Sequence, residues 1–382
     1  MNKKHLTTAA ALLLLTSLTG CSWFGGDGKP VDPPAALVNF TASMTPVIQW
    51  RGDVGIAGDY LFTPAVTTDS VYAAGQKGTL AKFDIATGKQ LWRVDTDSRL
   101  SAGVGVGGDV VAVVTVSGMV LAYDSNGKLL WRTQAPGEVL AAPLVAGGKV
   151  VVRTDDGRIV AYASGDGKQD WFYQRRNPSL ALRSNAGMVL EQGALFAGFA
   201  GGKLVGINLA NGAVGWESPV STPRGATELE RITDVTSNPV VAGATVCAAS
   251  YQGRIACFDA RNGTSVWAKD VSSTAGLDVD GRQVYVSDDK GGVIAYDRTS
   301  GAGMWKQGKL LNRRLSTPSV VANWLAVGDY QGYVHFMSQS DGAFVGRIAT
   351  DGSAIGNAAM VPLAHGLIVQ THAGGVFAIK AE

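Results

Sequence analysis

Lys82-Phe-Asp-Ile-Ala-Thr-Gly-Lys-Gln-Leu-Trp92 places a tryptophan four residues after a turn glycine, and the same pair returns along the chain about every 40 residues. The further pairs are Gly127/Trp131, Gly167/Trp171, Gly212/Trp216, Gly263/Trp267 and Gly301/Trp305. A seventh turn, Ser340-Asp341-Gly342, has Gly346 at the tryptophan position. A period of this length built from short strands is typical of a β-propeller.

The unit that ends in Trp131 shows the strands of one repeat most clearly. Turn residues such as Ser117-Gly118 and Asn126-Gly127 separate short runs that are rich in small or β-branched residues. The predicted strands are 100–107, 110–116, 119–124 and 129–132, from the inside of the ring outward. Four antiparallel strands of this kind make one propeller blade.

The two ends of the chain complement each other. A final hairpin, with Leu367–Val369 and Phe377-Ala378 as its strands, has no room for a fourth strand before Glu382. Pro46–Arg51 looks like an outer strand with its tryptophan, Trp50, and no hairpin precedes it. Joining them removes two open sheet edges and uses every segment once. The prediction is an all-β, eight-bladed propeller over residues 45–382, closed by the N-terminal strand.

The N-terminus predicts secretion and a lipid anchor. Lys3 and Lys4 precede an apolar run, Leu6 to Leu15, that is too short to span a bilayer, and residues 1–20 read as a signal peptide. Leu18-Thr-Gly-Cys21 resembles the bacterial lipoprotein signal, in which the cysteine thiol is acylated. Ser22 follows, which in such lipoproteins implies the periplasmic face of the outer membrane. Residues 21–44 are then expected to be the lipidated cysteine and a flexible tether.

Charge and composition exclude several kinds of site. Without Lys3 and Lys4 the mature chain has 31 basic and 31 acidic residues, so no nucleic-acid partner is expected. The histidines show no metal-ligand spacing, and no metal or cofactor is predicted. Gly103-Val-Gly-Val-Gly-Gly108 precedes a strand and not a helix, which argues against a nucleotide loop.

Cys247 and Cys257 flank a turn around Gly253. If the loop is Tyr251–Gly253, with Gly253 left-handed, the cysteines lie opposite each other and a disulfide is predicted in an oxidising compartment. A two-residue loop would instead leave two free buried thiols. The sequence leaves both registers open.

Two repeats are longer than the others. Between Trp92 and Trp305 the interval is 45 residues from Trp171 to Trp216 and 51 from Trp216 to Trp267, whereas the other three are 38 to 40. Both insertions lie in links between neighbouring blades, so they are expected side by side on one face. Loops on a rigid scaffold often carry function. The first insertion combines Leu180, Leu182 and Arg183, which predicts either a binding surface or a small satellite core.

The repeat resembles the tryptophan-docking motif of quinoprotein alcohol dehydrogenases, which are eight-bladed propellers. Those enzymes stack their quinone on a disulfide of adjacent cysteines, and this chain has no Cys-Cys pair. The resemblance therefore implies the fold and not the activity. A quinoprotein-like dehydrogenase and a glycan-binding envelope propeller are kept as alternative functions.

A closer resemblance rests on Asn177-Pro-Ser-Leu-Ala-Leu-Arg183 and Thr227-Glu-Leu-Glu-Arg-Ile-Thr-Asp-Val-Thr236. With the lipoprotein signal and the repeats, these segments are similar to the BamB family, the propeller lipoproteins of the β-barrel assembly machinery. The resemblance implies a scaffold that is not an enzyme and that binds periplasmic domains of BamA. Other Bam subunits and unfolded outer-membrane protein precursors would be further partners.

The same resemblance implies roles for individual residues. Leu180 and Leu182 would be apolar anchors for BamA, Arg183 a charged or hydrogen-bonding contact, and Asp234 an acidic contact. Thr236 stands where the family has a second acid, so acidic pairing at that position is expected to be weaker.

Overall fold

The computed structural model describes residues 33–357 and 359–381. Its regular elements over these residues are all strands, and no helix there is long and apolar enough to cross a membrane. The predicted signal peptide and Cys21 lie outside the described residues. Pro34 begins a compact unit that continues to the end of the chain.

The described strands form eight antiparallel sheets of four, and each sheet is one blade. Blades 1 to 4 consist of β2 (Ala65–Val66), β3 (Ser70–Ala74), β4 (Thr79–Asp84) and β5 (Gln90–Asp95); β6 (Gly105–Gly107), β7 (Val110–Val114), β8 (Met119–Asp124) and β9 (Leu129–Gln134); β10 (Leu144–Ala146), β11 (Lys149–Arg153), β12 (Arg158–Ala163) and β13 (Gln169–Gln174); and β14 (Met188–Glu191), β15 (Ala194–Phe199), β16 (Lys203–Asn208) and β17 (Val214–Pro219).

Blades 5 to 7 follow the same chain order from the inner to the outer strand, and in blade 8 the outermost strand is the N-terminal strand. They consist of β18 (Val240–Ala242), β19 (Thr245–Ala249), β20 (Arg254–Asp259) and β21 (Ser265–Asp270); β22 (Gly276–Val279), β23 (Gln283–Ser287), β24 (Val293–Asp297) and β25 (Gly303–Gln307); β26 (Ser319–Val321), β27 (Trp324–Gly328), β28 (Tyr333–Ser338) and β29 (Phe344–Ala349); and β30 (Met360–Leu363), β31 (Gly366–Gln370), β32 (Gly375–Lys380) and β1 (Val47–Asp53).

The predicted fold is confirmed, including the closure of the ring. β1 pairs antiparallel with β32, so that Val47 lies opposite Lys380 and Asp53 opposite Gly375. The two middle strands of a blade are covered by the neighbouring blades on both faces. For this reason β11 and β12 are apolar at consecutive positions and do not alternate, as their buried residues show.

Seven tryptophans join consecutive blades. Each indole N–H donates to a carbonyl oxygen in the outer turn of the next blade, with nitrogen-to-oxygen distances of 2.7–3.0 Å. The donor and acceptor pairs are Trp50 and Ile85, Trp92 and Ser125, Trp131 and Ser164, Trp171 and Leu209, Trp216 and Ala260, Trp267 and Arg298, and Trp305 and Gln339.

The glycine of each pair belongs to the turn that receives the tryptophan of the preceding blade. Gly212 has φ of +74°, and a Cβ placed on it would lie 2.7 Å from the Trp171 ring. A side chain there would therefore both strain the backbone and push the indole away. The glycine and the tryptophan of one pair therefore belong to two different junctions. The glycine contacts the indole of the preceding blade, and the tryptophan four residues later contacts the turn of the following blade.

The junction between blades 7 and 8 is built differently. Gly346 occupies the tryptophan position, and a Cβ on it would lie 2.9 Å from the Met44 sulfur. Met44 is buried, and its backbone N–H donates to Val345 O over 3.1 Å. The segment before β1 therefore takes the place of the eighth indole.

This finding shortens the tether predicted for residues 21–44. Ala35 N–H donates to Leu311 O over 2.9 Å, and the Phe40 ring packs 5.6 Å from the Phe344 ring, centroid to centroid. Residues 35–44 are thus held against the ring along their length, and Met44 at their end fills the space that the missing tryptophan leaves.

Cys247 on β19 lies opposite Cys257 on β20, with Cα atoms 4.0 Å apart, and the two sulfur atoms are bonded. The loop is Tyr251–Gly253, since Ser250 N–H donates to Arg254 O over 2.9 Å. The left-handed residue is Gln252 (φ 47°), and the expectation that it would be Gly253 is wrong. Gly253 is needed for space instead, because a Cβ on it would lie 2.5 Å from the hydroxyl oxygen of Thr233.

A buried ionic network supports blade 7. The Asp329 carboxylate accepts from Arg313 Nη2 over 2.6 Å and from His335 Nε2 over 3.0 Å, and Arg347 Nε donates to His335 Nδ1 over 3.1 Å. Because an arginine can only donate, His335 is neutral and carries its proton on Nε2. Burial lowers the pKa of His335 below 6.5, against the opposing effect of Asp329.

Replacing one docking tryptophan should cost far more stability than replacing its exposed neighbour. Trp171 is 8% exposed, and Phe172 is 61% exposed. We expect Trp171→Ala to lower the free energy of unfolding by about 3–5 kcal/mol, and Phe172→Ala by less than about 0.5 kcal/mol. Urea unfolding followed by circular dichroism measures both. Equal losses for the two variants would contradict the docking role.

The neutral state of His335 predicts a loss of stability in mild acid. Its pKa is lower in the folded chain, so the unfolded chain binds more protons and stability falls as the pH drops below about 6.5. The slope from this one group is at most about 1.4 kcal/mol per pH unit. His335→Gln can make both hydrogen bonds without titrating. Urea midpoints between pH 7.5 and 5 should fall less steeply in this variant, and parallel curves would contradict the assignment.

Candidate functional site

The two long links between blades lie next to each other, as the intervals predict. One runs from the end of β13 to the start of β14 over residues 175–187, and the other from β17 to β18 over residues 220–239. Asp234 connects them, because its carboxylate accepts from Leu182 N–H over 2.6 Å and from Gly201 N–H over 2.8 Å. The structure thus brings Leu180, Leu182, Arg183 and Asp234 into one site.

Asp234 lies under this site and not on its surface. Its side chain is 2% exposed, and both carboxylate oxygens accept backbone hydrogen bonds. The sequence suggested that Asp234 contacts a partner directly, but in this structure its carboxylate is not accessible to one. A buried carboxylate must be neutralised by hydrogen bonds or an opposite charge, and here it orders the segment above it.

Arg153 supplies the opposite charge. Burial lowers the pKa of the Arg153 guanidinium to about 10, and the charge of Asp234 opposes that shift. Arg153 Nη1 donates to Ala186 O over 2.8 Å, and the guanidinium lies 4.9 Å from the Phe199 ring centroid. Arg153 thus holds the C-terminal end of the link while Asp234 holds its middle. Sequence analysis did not single out Arg153, because it belongs to an ordinary strand.

The segment from Asn177 to Arg183, called the docking segment below, presents its predicted residues differently. Leu180 is 39% exposed, whereas Leu182 is half-buried and lines a cavity at the centre of the ring that is described below. Leu182 therefore contacts the cavity and leaves only part of its surface to solvent. The Asn177 amide donates to Asp155 O over 2.9 Å and fixes the start of the segment.

Arg183 lies at the rim and already has partners within the chain. Its Nη2 is 2.8 Å from the Glu138 carboxylate, and its guanidinium lies 5.3 Å from the Tyr60 ring centroid. The hydrogen bond to Glu138 raises the pKa of Arg183. About half of the Arg183 side chain is exposed, so this ion pair is weak and can be exchanged for another acidic partner.

The second link exposes an apolar residue that sequence analysis missed. Leu229 is 67% exposed in a turn whose ends are capped reciprocally. Thr227 N–H donates to the Glu230 carboxylate over 3.1 Å, and Glu230 N–H donates to the Thr227 hydroxyl over 3.2 Å. The signal was present as Thr227-Glu-Leu-Glu230, which is the capping-box pattern.

A cavity of about 330 Å³ opens at the centre of the ring beside the docking segment. Its lining is mixed and includes Leu61, Leu140, Leu182, Asn185, Asn238 and Asn357. Thr236, at the position of the expected second acid, also lines it, and its hydroxyl makes no hydrogen bond within the described residues. Residues 33–357 and 359–381 contain no group of three or more His, Cys, Asp or Glu that could hold a metal ion.

Comparison with known proteins assigns the family. The family model described as outer membrane protein assembly factor BamB matches residues 50–307. An outer membrane protein assembly factor BamB of Bordetella pertussis is 42% identical over 98% of this chain and 97% of its own length. The chain belongs to the BamB family. The expectation drawn from the two link segments is thereby confirmed.

Solved structures agree on the fold of this BamB family member. BamB from Moraxella catarrhalis superposes with a TM-score of 0.81 at 26% identity, covering 88% of this chain and 99% of that one. A quinohemoprotein alcohol dehydrogenase from Pseudomonas putida reaches a TM-score of 0.71 at 14% identity, covering 88% of this chain and 76% of that one. The second likeness shows the fold alone.

Removing the Asp234 carboxylate should loosen the docking segment. Asp234→Ala leaves Leu182 N–H and Gly201 N–H without their acceptor and Arg153 without its opposite charge. We therefore expect the free energy of unfolding to fall by about 2–5 kcal/mol. Hydrogen exchange of the Leu182 amide should accelerate. Asp270→Ala removes an exposed ion pair with Arg254 and serves as the control, at less than about 1 kcal/mol. Unchanged exchange at Leu182 would contradict the positioning role.

Proposed function

We propose that this chain is a non-enzymatic scaffold of the outer-membrane β-barrel assembly complex, with the docking segment as the surface that binds the periplasmic domains of BamA. Lipidated Cys21 would hold it at the periplasmic face of the outer membrane. The proposal rests on the family membership and on the name that the relatives share, outer membrane protein assembly factor. Folding and insertion of outer-membrane proteins would be the process it assists.

The observation that carries the proposal is an exposed leucine on a link that is fixed from below. Leu180 projects from a segment whose backbone is bound by Asp234, so little conformational entropy remains to be lost when a partner binds. A fixed apolar side chain is the kind of residue that a partner's pocket can take.

The surroundings of Leu180 fit a protein partner. Arg183, three residues along the same link, forms a solvent-accessible ion pair with Glu138, and the second link carries a further exposed leucine, Leu229. An apolar centre with a polar rim is the usual arrangement of a protein interface. In this proposal Leu180 contacts the partner, Arg183 contributes at the rim, and Leu182 and Asp234 position the segment.

We expect Leu180→Glu to weaken association with BamA by at least about 30-fold, equivalent to about 2 kcal/mol, because it places a charge in the centre of the interface. Co-purification from detergent-solubilised membranes and a direct Kd with the periplasmic domains measure it. Thermal unfolding should be unchanged, since the residue is exposed.

The matched control is Leu91→Glu, which places the same charge at an exposed leucine on the outer strand of blade 1. Leu91→Glu should retain BamA. Retention of BamA by Leu180→Glu at wild-type levels would refute the site. Loss of BamA by both variants would point to a general effect of surface charge.

A further inference from the structure

Residues 35–44, called the strap below, lie on blade 7 without belonging to a sheet. Backbone hydrogen bonds secure both ends, from Ala35 N–H to Leu311 O over 2.9 Å and from Ser43 N–H to Val345 O over 3.0 Å. None of these residues is in a strand. The strap is therefore an extended peptide bound to the surface of the ring and not an extra strand of it.

Two arginines hold the strap by its carbonyl groups, Arg313 in the link between blades 6 and 7 and Arg347 on β29 of blade 7. Arg313 Nη1 donates to Ala35 O over 2.9 Å, and Arg347 Nη2 donates to Val38 O over 3.2 Å. Both guanidinium groups are fixed from behind, Arg313 by Asp329 and Arg347 by His335. A pair of arginines fixed in this way is a preformed recognition element for a peptide backbone, since it does not depend on the side chains of the peptide.

Side chains of the strap add selectivity. The Arg347 guanidinium lies 5.1 Å from the Phe40 ring centroid and 5.7 Å from the Phe344 ring centroid, so it interacts with both rings. Four residues further on, Met44 fills the notch above Gly346. The groove thus recognises an extended peptide with an aromatic residue and, four positions later, a flexible apolar one.

The strap is held less firmly than the ring. Met44 is its one buried side chain, whereas Asn39, Thr41, Ala42 and Ser43 are exposed. Segments with few buried contacts open locally at a small fraction of the free energy of global unfolding. The strap can therefore leave while β1, which shares a full ladder with β32, stays in place.

We propose that this groove on blade 7 is a peptide-binding site, occupied in cis by residues 35–44, and that release of the strap changes how far the ring can stand from the lipid anchor. The second part rests on the proposed lipidation of Cys21. With the strap bound, 14 residues lead from position 21 to Ala35, and with it released, 26 lead to Val47. Release therefore adds 26 − 14 = 12 residues to the connection, which is about 40 Å of fully extended chain.

The test uses the full-length protein in detergent and a fluorescein-labelled peptide with the sequence of residues 34–45. In the variant Phe40→Ser, Met44→Ser the strap loses its aromatic side chain and its buried side chain, whereas Val38 and the groove itself are unchanged. We expect this variant to bind the peptide at least ten times more tightly than the wild-type chain does, because its groove is no longer occupied. Equal binding by the two chains, or no binding to the variant, would overturn the site.

Two controls complete the test. Adding Arg347→Ala to the strap variant should weaken peptide binding at least tenfold, and a peptide with serine at the Phe40 and Met44 positions should bind as poorly.

Hydrogen exchange of the wild-type chain tests release without any substitution. The Met44 amide should exchange at least 100-fold faster than the Ile379 amide of β32. Equal rates would show that the strap opens only when the ring unfolds, and would refute release. None of these measurements involves BamA, so they stand apart from the test of the docking segment.

Discussion

The fold depends on one contact, in which an indole from one blade lies over a glycine turn of the next. The clusters of aliphatic and aromatic side chains between blades differ from one junction to the next, so they do not repeat one distance or one angle. The indole does both, since its N–H must reach one carbonyl oxygen while its face meets a backbone that has no side chain. Repetition of this contact makes neighbouring blades equivalent and brings the ends of the chain together.

The single exception shows that the junction must be filled. Gly346 leaves a notch at the last junction, and Met44 from before the first strand occupies it. The end of the chain that leads toward the proposed anchor is thereby attached to blade 7. The docking segment lies between blades 3 and 4, on the far side of a ring of eight.

Asp234 performs at the candidate site the role that the indoles perform between blades. The two long links could not order each other through their exposed residues, which are largely polar. A buried carboxylate that accepts from Leu182 N–H and Gly201 N–H, opposite the buried Arg153, makes one arrangement much more favourable than others. The exposed side chain of Leu180 gains its fixed position from residues that no partner would touch.

The sequence by itself determined the fold class, the number of blades, the closure of the ring and the position of the two long links. It could do so because the Gly/Trp pairs repeat a local geometry from blade to blade. A longer interval between two pairs can also be counted directly along the sequence. The capping box at Thr227-Glu-Leu-Glu230 is equally local in the sequence, but it was not predicted before the structure.

Only the tertiary structure decided which of the candidate residues face solvent. Leu180 and Leu182 are two positions apart, yet one is exposed and the other lines the cavity, and Asp234 is buried beneath both. The contacts of residues 35–44 with Arg313 and Arg347 join positions 278 and 309 residues apart in the chain. Such pairings have no period and no local signature, since they depend on where the closed ring places each side chain.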